Sequence, residues 1–186
     1  AEYDLGCALM DGIAGEKDDY QALRWFRLAG AQGHVKSQYR VGYALAHGAG
    51  CEIDLQQAAT WLRKAAVNGD PKGQYEFGLL FIHPDYPKRN EEEAFRWIRL
   101  SAIAGFAPAQ YQLALFYQAG EGTLASYEEA FTWARRAAAQ GEEKALLLLA
   151  SLYRFGAGTA ANITAAYAIA SYLSGTENPN AAALLQ

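Results

Sequence analysis

Cysteine is scarce in this sequence, since Cys7 and Cys51 are its only two among 186 residues. No C-x-x-C pattern occurs. A bond between the two would require a later bend of the chain to lean back over the first helix. We therefore expect two separate thiols, which leaves the redox compartment undetermined.

The sequence also lacks a basic excess and a long apolar run. Its formal net charge of −4 disfavours a general nucleic-acid partner. Basic pairs such as Arg63 and Lys64 lie near predicted helix ends, where they complement the helix dipole. No stretch approaches the roughly 20 apolar residues that span a bilayer, and we expect no signal peptide. We expect neither nucleic acid nor direct membrane insertion.

Catalytic motifs are missing as well. No H-E-x-x-H, G-x-S-x-G or phosphate-loop pattern occurs. The carboxylate run Glu91-Glu92-Glu93 fits the first turn of a helix better than a catalytic pair. Nothing supplies an activated nucleophile with a matching base. The sequence therefore predicts a protein that is not an enzyme and uses no cofactor.

A repeat dominates what the sequence does contain. Its four tryptophans stand 36 residues apart, and columns of alanine, glycine and tyrosine keep the same step. A column of residues that cap helix N-termini keeps it too: Asp18, Asp54, Asn90, Ser126 and Asn162. Three residues after the first four caps come expected capping-box partners, Gln21, Gln57, Glu93 and Glu129. A fixed period of this length indicates a solenoid.

Each repeat predicts two helices. The second, such as 54–69, carries Trp61 and other apolar residues at helical spacing and ends in glycine. The first, such as 36–48, carries Gly42, which is small so that the two helices can approach closely. Glycine pairs such as Gly48 and Gly50 then form the bend between them.

The three histidines invite a metal-site interpretation. His47 and His83 occupy the same position in successive repeats, and His34 stands apart. Neighbouring first helices lie about 10 Å apart, whereas zinc needs nitrogen ligands near 2 Å from a common point. We therefore expect satisfied or solvent-facing histidines and no metal.

These patterns resemble the Sel1-like repeats, relatives of the tetratricopeptide repeats. The resemblance rests on AQYQLALFYQAGEG (109–122) followed by SYEEAFTWARRAAAQG (126–141), and on the corresponding segments 37–50 and 54–69. Two repeats depart from the pattern. The third replaces the G-x-G bend with His83-Pro-Asp-Tyr-Pro87, and the fifth has Ile169 for tryptophan and Glu177 for glycine.

The resemblance implies an all-α fold, a right-handed superhelical solenoid of antiparallel helix pairs forming a single domain over 1–186. The repeat units are expected at about 1–34, 35–70, 71–106, 107–142 and 143–178, with the start of a sixth pair at 179–186. Because Ala1 falls inside a first helix without an initiating Met, we interpret the chain as a processed product or a fragment. A polar capping repeat is visible at neither end.

In such repeats the first helices line the concave surface, so their unburied face is the expected binding floor. We call these residues the first-helix stripe: Arg40, Tyr43, His47, Lys72, Glu76, Leu79, His83, Gln112, Leu115, Leu148 and Phe155. Arg40, Tyr43 and His47 are the favoured anchors, because Arg and Tyr are enriched at interface hot spots. Leu148 and Phe155 have an alternative role, packing under a continuation of the stack. The stiff bend offers Asp85 and Tyr86 as a second contact.

The resemblance implies a non-catalytic scaffold that binds a protein or peptide in its concave groove. One alternative is an immunity protein that neutralises a secreted bacterial toxin, for example a type VI secretion lipase. Another is a weak β-lactam hydrolase, as described for some relatives. The resemblance favours the bacterial periplasm over the cytoplasm. It names no partner.

Overall fold

The computed structural model describes residues 1–13 and 15–175, which form ten α-helices and no β-strand. The all-α class predicted from the sequence is confirmed. Glu177 and the expected sixth helix pair fall outside the described residues. The helices are α1 (Glu2–Met10), α2 (Asp19–Ala31), α3 (Val35–His47), α4 (Leu55–Val67), α5 (Pro71–Leu80), α6 (Glu91–Ile103), α7 (Ala107–Ala119), α8 (Tyr127–Ala138), α9 (Glu143–Phe155) and α10 (Ile163–Gly175).

The chain packs into two compact units, residues 1–101 and 102–186. In the first, the successive helices α1, α2, α3, α4 and α5 pack against one another in chain order. In the second, α7, α8, α9 and α10 do the same. Each unit is therefore a series of stacked helical hairpins. No helix among the described residues combines the length and the apolar character needed to cross a membrane.

The predicted cap column is confirmed in all five repeats. Each side chain accepts a hydrogen bond from a backbone N–H in the first turn of its helix, as when the Asp54 carboxylate accepts from Gln57 N–H at 2.9 Å. The expected capping boxes are wrong. The backbone N–H of each cap residue donates instead to a carbonyl in the last turn of the preceding first helix or, in the third repeat, to Phe81 directly after α5; Asp54, for example, donates to Leu45 at 2.9 Å. Since that donor is already satisfied, Gln57 is free to bond the Asp54 carboxylate.

Volume is matched across each hairpin. A Cβ built on Gly42 would lie 2.5 Å from Leu62 Cγ, and glycines 6 and 78 face Phe26 and Ile98 in the same way. The next two repeats carry alanine in the glycine column and alanine at the facing position: Ala114 with Ala134, and Ala150 with Ala170. All four alanines are fully buried. Glycine therefore stands where the facing residue is large, and alanine where it is small.

The third bend, residues 81–90, differs from the others. Helix α5 ends at Leu80, whereas α3, α7 and α9 continue for three residues more. Pro84 disfavours helical backbone at the preceding residue, so the helix stops early. His83, expected at the helical end of the first-helix stripe, lies beyond α5 for this reason.

Candidate functional site

Three residues of the first-helix stripe share one face of α3. Arg40, Tyr43 and His47 are separated by three and four positions, so they lie along the same side of the helix. The ring centroids of Tyr43 and His47 are 4.2 Å apart, and the Tyr39 ring is 5.9 Å from Tyr43. Tyr43 is 37% exposed. This face carries a row of three rings, of which Tyr43 and His47 are exposed and Tyr39 is half-buried.

A hydrogen bond joins this row to the next first helix. His47 Nε2 lies 3.2 Å from Glu76 Oε2 on α5. The His47 side chain is 48% exposed, and that of Glu76 only 13%. Burial raises the pKa of the Glu76 carboxyl, and neighbouring His47 opposes that rise. Burial and then the charge of Glu76 raise the pKa of Tyr39 to about 12, so its hydroxyl stays neutral.

Arg40 points toward the first repeat. Its Nη1 lies 3.8 Å from the Met10 sulfur. Burial and then the Cys7 thiol raise the pKa of Tyr3, while the Arg40 guanidinium opposes the rise. A cavity of about 180 Å³ opens here, with Met10, Arg40 and Tyr43 in its wall. Arg40 is half-buried, so it contributes to packing between α1 and α3 as well as to the surface.

The remaining stripe residues differ in exposure. Lys72 is exposed on α5. In the second unit Phe155 is 74% exposed, with the Arg154 guanidinium 5.7 Å from its ring centre. The half-buried members are Leu79, Gln112, Leu115 and Leu148. The structure therefore places His47 in contact with both Tyr43 and Glu76, which joins stripe residues of two first helices.

The third bend has an exposed member and a buried one. Asp85 is exposed, its backbone N–H donates to His83 Nδ1 at 3.2 Å, and it lines a cleft of about 830 Å³. The expectation that Tyr86 is offered at an edge is wrong. Tyr86 is 7% exposed, because its ring turns into the core and packs edge-on against Phe81 with centroids 5.8 Å apart.

A serine and a histidine do meet, but as a helix cap. Ser37 Oγ lies 2.8 Å from His34 Nδ1, which also accepts the Ser37 backbone N–H. Ser37 is completely buried at the start of α3. A nucleophile must reach its substrate. We therefore assign this buried pair to capping the helix and not to catalysis.

The cysteines and acidic residues form no metal centre within 1–13 and 15–175, where no group of three His, Cys, Asp or Glu could hold an ion. Cys7 and Cys51 are free thiols. The Cys51 thiol donates to the Ala44 carbonyl at 3.5 Å, and burial raises its pKa. A raised pKa reduces the thiolate fraction, which makes Cys51 a poor nucleophile.

The Sel1 repeat family model matches the chain five times in succession, at residues 1–34, 35–70, 71–106, 107–142 and 143–171. The chain belongs to the Sel1 repeat family. No curated protein matches it.

Two solved structures share the Sel1 repeat solenoid with this chain. A Sel1 repeat protein from Oxalobacter formigenes is 30% identical over 97% of this chain and 52% of its own, with a TM-score of 0.77. A protective antigen of uropathogenic Escherichia coli is 27% identical over 97% and 46%, with a TM-score of 0.72. The chain spans about half the length of each. An immunity protein from Pseudomonas aeruginosa is 20% identical over 93% and 80%, with a TM-score of 0.46, too low to inform function.

Sequence reasoning missed three participants in this Sel1 repeat site. Tyr3, Met10 and Tyr39 were not expected at the surface, yet they support Arg40 and Tyr43. The tyrosine column was visible as a repeat feature, but a column is read first as core. Whether a tyrosine of this column contacts a stripe residue, as Tyr39 contacts Tyr43, depends on the direction of its side chain, which the repeat period does not specify.

Replacing Glu76 with glutamine should change how stability depends on pH. The folded-state pKa of Glu76 is raised, so its stabilising contribution is complete below its ordinary pKa and is lost as pH rises through the folded value. The unfolding free energy of the wild type minus that of Glu76→Gln should therefore fall from acidic to neutral pH, as measured by urea denaturation.

The same comparison in a His47→Gln background supplies the control. Since His47 opposes the raised pKa of Glu76, removing it should move the fall to higher pH. A stability difference that stays constant with pH in both backgrounds would contradict the assigned environment of Glu76.

Proposed function

We propose that this Sel1 repeat chain is a non-catalytic scaffold that binds a polypeptide through the first-helix stripe of residues 1–101. Sel1 repeat proteins are typically protein-interaction scaffolds. The observation that carries the proposal is the contact of exposed Tyr43 with His47, which in turn bonds Glu76 on the next first helix. The Tyr43 ring is exposed to a partner, and Tyr39 and His47 hold it in place from either side.

The chemistry of this surface suits a protein ligand. Tyr43 offers a flat apolar ring with a hydroxyl, the residue type most common among interface hot spots besides Trp and Arg. The fixed rings lose little side-chain entropy on binding. Lys72, exposed on α5, adds a cation about one helical turn before Glu76. A polypeptide lying across α3 and α5 would meet both an aromatic and a charged contact.

Variants at Tyr43 test this proposal better than variants at Arg40, which also packs against α1. The chain should be used as bait in an extract of its native host, and each captured protein then purified and titrated calorimetrically. Tyr43→Glu is expected to weaken binding by about 2 kcal/mol or more, roughly thirtyfold. The matched control is Tyr20→Glu, at a tyrosine that is 63% exposed on second helix α2.

If Tyr20→Glu lowered the affinity as much as Tyr43→Glu, or if Tyr43→Glu did not lower it, the proposal that the first helices form the binding surface would be wrong. If the captured partner is a toxin enzyme whose activity disappears on binding, the chain is an immunity protein acting through this surface. Unchanged helical circular dichroism in both variants shows that the fold is intact.

A further inference from the structure

The third bend has a tyrosine at a position where the second and fifth bends have a glycine. In those two bends the glycine lies against the backbone of a neighbouring helix. A Cβ built on Gly50 would lie 2.5 Å from the Asp19 carbonyl oxygen, and one built on Gly158 would overlap the Tyr127 carbonyl. These glycines let the bend rest on the start of the preceding repeat's second helix. The corresponding residue of the third repeat is Tyr86. Its side chain would not fit in so close a contact with helix backbone.

The consequence is an open cleft beside α4. The Tyr86 ring turns inward onto Phe81, and residues of the third bend and of α4 line the two sides of this cleft. Between them lies a space of about 990 Å³, bounded by the outer face of α4 and by residues 81–88. All of it belongs to the unit of residues 1–101.

The chemistry of this cleft is one-sided. Its lining includes the cations Arg63, Lys64 and Lys88 and, among the residues the structure describes, no carboxylate. None of the three forms an ion pair within 1–13 and 15–175. Lys64 Nζ lies 4.6 Å from the centre of the Trp61 ring. The rim is therefore positively charged and uncompensated.

Apolar side chains make up the rest of the wall. Val67 is 67% exposed at the end of α4, and the rings of Phe77, Phe81 and Tyr86 close the inner side. A ligand that fits would carry negative charge at its edge and at least one large apolar group. An extended peptide provides both, because successive side chains point in opposite directions.

We propose that this cleft binds an extended acidic peptide segment of a partner protein, with a large apolar side chain against the aromatic wall and neighbouring carboxylates on Arg63, Lys64 and Lys88. This site is separate from the first-helix stripe and does not depend on it. A nucleic acid fits less well, because its continuous row of phosphates would extend over Glu52, Asp54 and Asp85 in the adjoining cleft.

Fluorescence anisotropy with designed peptides tests the proposal. The probe is a labelled short peptide in which Asp and Glu flank a single Phe, compared with versions carrying Lys for the acids or Ser for the Phe. The full chain should bind the first and lose about tenfold or more in affinity for each altered peptide. Arg63→Glu should weaken binding of the acidic probe by a similar factor.

The chain contains a matched control. Arg135 is exposed at the same repeat position as Arg63. The bend of the repeat that follows Arg135, however, keeps its two glycines, Gly156 and Gly158. Arg135→Glu adds the same charge change and should leave binding unaltered. Restoring glycine at the third bend with Pro84→Gly and Tyr86→Gly should close the cleft and abolish binding.

Absent binding, equal binding of the lysine peptide, or equal weakening by Arg63→Glu and Arg135→Glu would overturn the proposal. Tighter binding of a single-stranded oligonucleotide than of the acidic peptide would assign the cleft to nucleic acid instead. Tyr43→Glu should leave peptide binding intact, so that failure here and failure of the first-helix surface are distinguishable.

Discussion

Gly42→Ala is expected to destabilise the chain by about 1–3 kcal/mol, the usual cost of overpacking a close-packed core. Its new methyl would meet Leu62 Cγ at 2.5 Å and Leu62 N at 3.0 Å. The side-chain atom belongs to a residue with no exposed surface, so it cannot swing into solvent. Helices α3 and α4 would have to separate.

Leu62→Ala alone should cost about 2–5 kcal/mol, since it leaves a cavity in the core. Together the two changes recreate the Ala114–Ala134 pairing found in a later repeat. The double variant should therefore be less destabilised than the sum of the single variants, with a coupling of about 1–2 kcal/mol. Urea denaturation of all four proteins, followed by far-UV circular dichroism, measures that coupling.

The control pairs Leu62→Ala with Gly6→Ala, whose methyl would meet Phe26 instead. Gly6 lies on α1 and Leu62 on α4, with no shared partner in these contacts, so their costs should add within about 0.5 kcal/mol. Additivity in the Gly42 pair, or equal coupling in both pairs, would contradict volume matching within each hairpin.

The regular features of this fold were predictable because they recur with the period. The cap side chains and the small residue between helices depend on local backbone geometry and on one neighbouring helix, and each recurs in register. Five copies of a weak pattern make a strong one. The all-α repeat architecture follows from them.

The candidate site was less predictable because it depends on contacts between repeats. The bond from His47 to Glu76 joins a late position of one first helix to a middle position of the next. Its formation depends on the offset between the two helices, which periodicity leaves open. Sequence spacing placed both residues on the first-helix stripe but could not pair them.

The structure of the irregular third bend could not be predicted from the repeat pattern. The third bend was recognised as unusual from its prolines, yet the expected exposure of Tyr86 was wrong. The ring packs edge-on against Phe81, and an aromatic ring gains more by burial than by facing water. Helix α5 ends three residues earlier than α3, α7 and α9, and the other repeats contain no example from which to predict this bend.

Gly50→Ala is expected to cost about 3 kcal/mol, more than most single changes at a bend. About 1–2 kcal/mol comes from placing a side chain on left-handed backbone, since Gly50 has a φ of 72°. The remainder comes from collision with the Asp19 carbonyl and the Tyr20 N–H, which are backbone groups and cannot rotate away.

Gly33→Ala separates these two contributions. Gly33 also has a positive φ, 92°, but nothing lies within 4 Å of its built Cβ. It should cost about 1–2 kcal/mol, the backbone contribution alone. The excess for Gly50 in urea denaturation then measures how tightly the bend rests on α2. Equal costs at the two glycines would mean that the bend yields easily, and the reason given for the open cleft at the third bend would be lost.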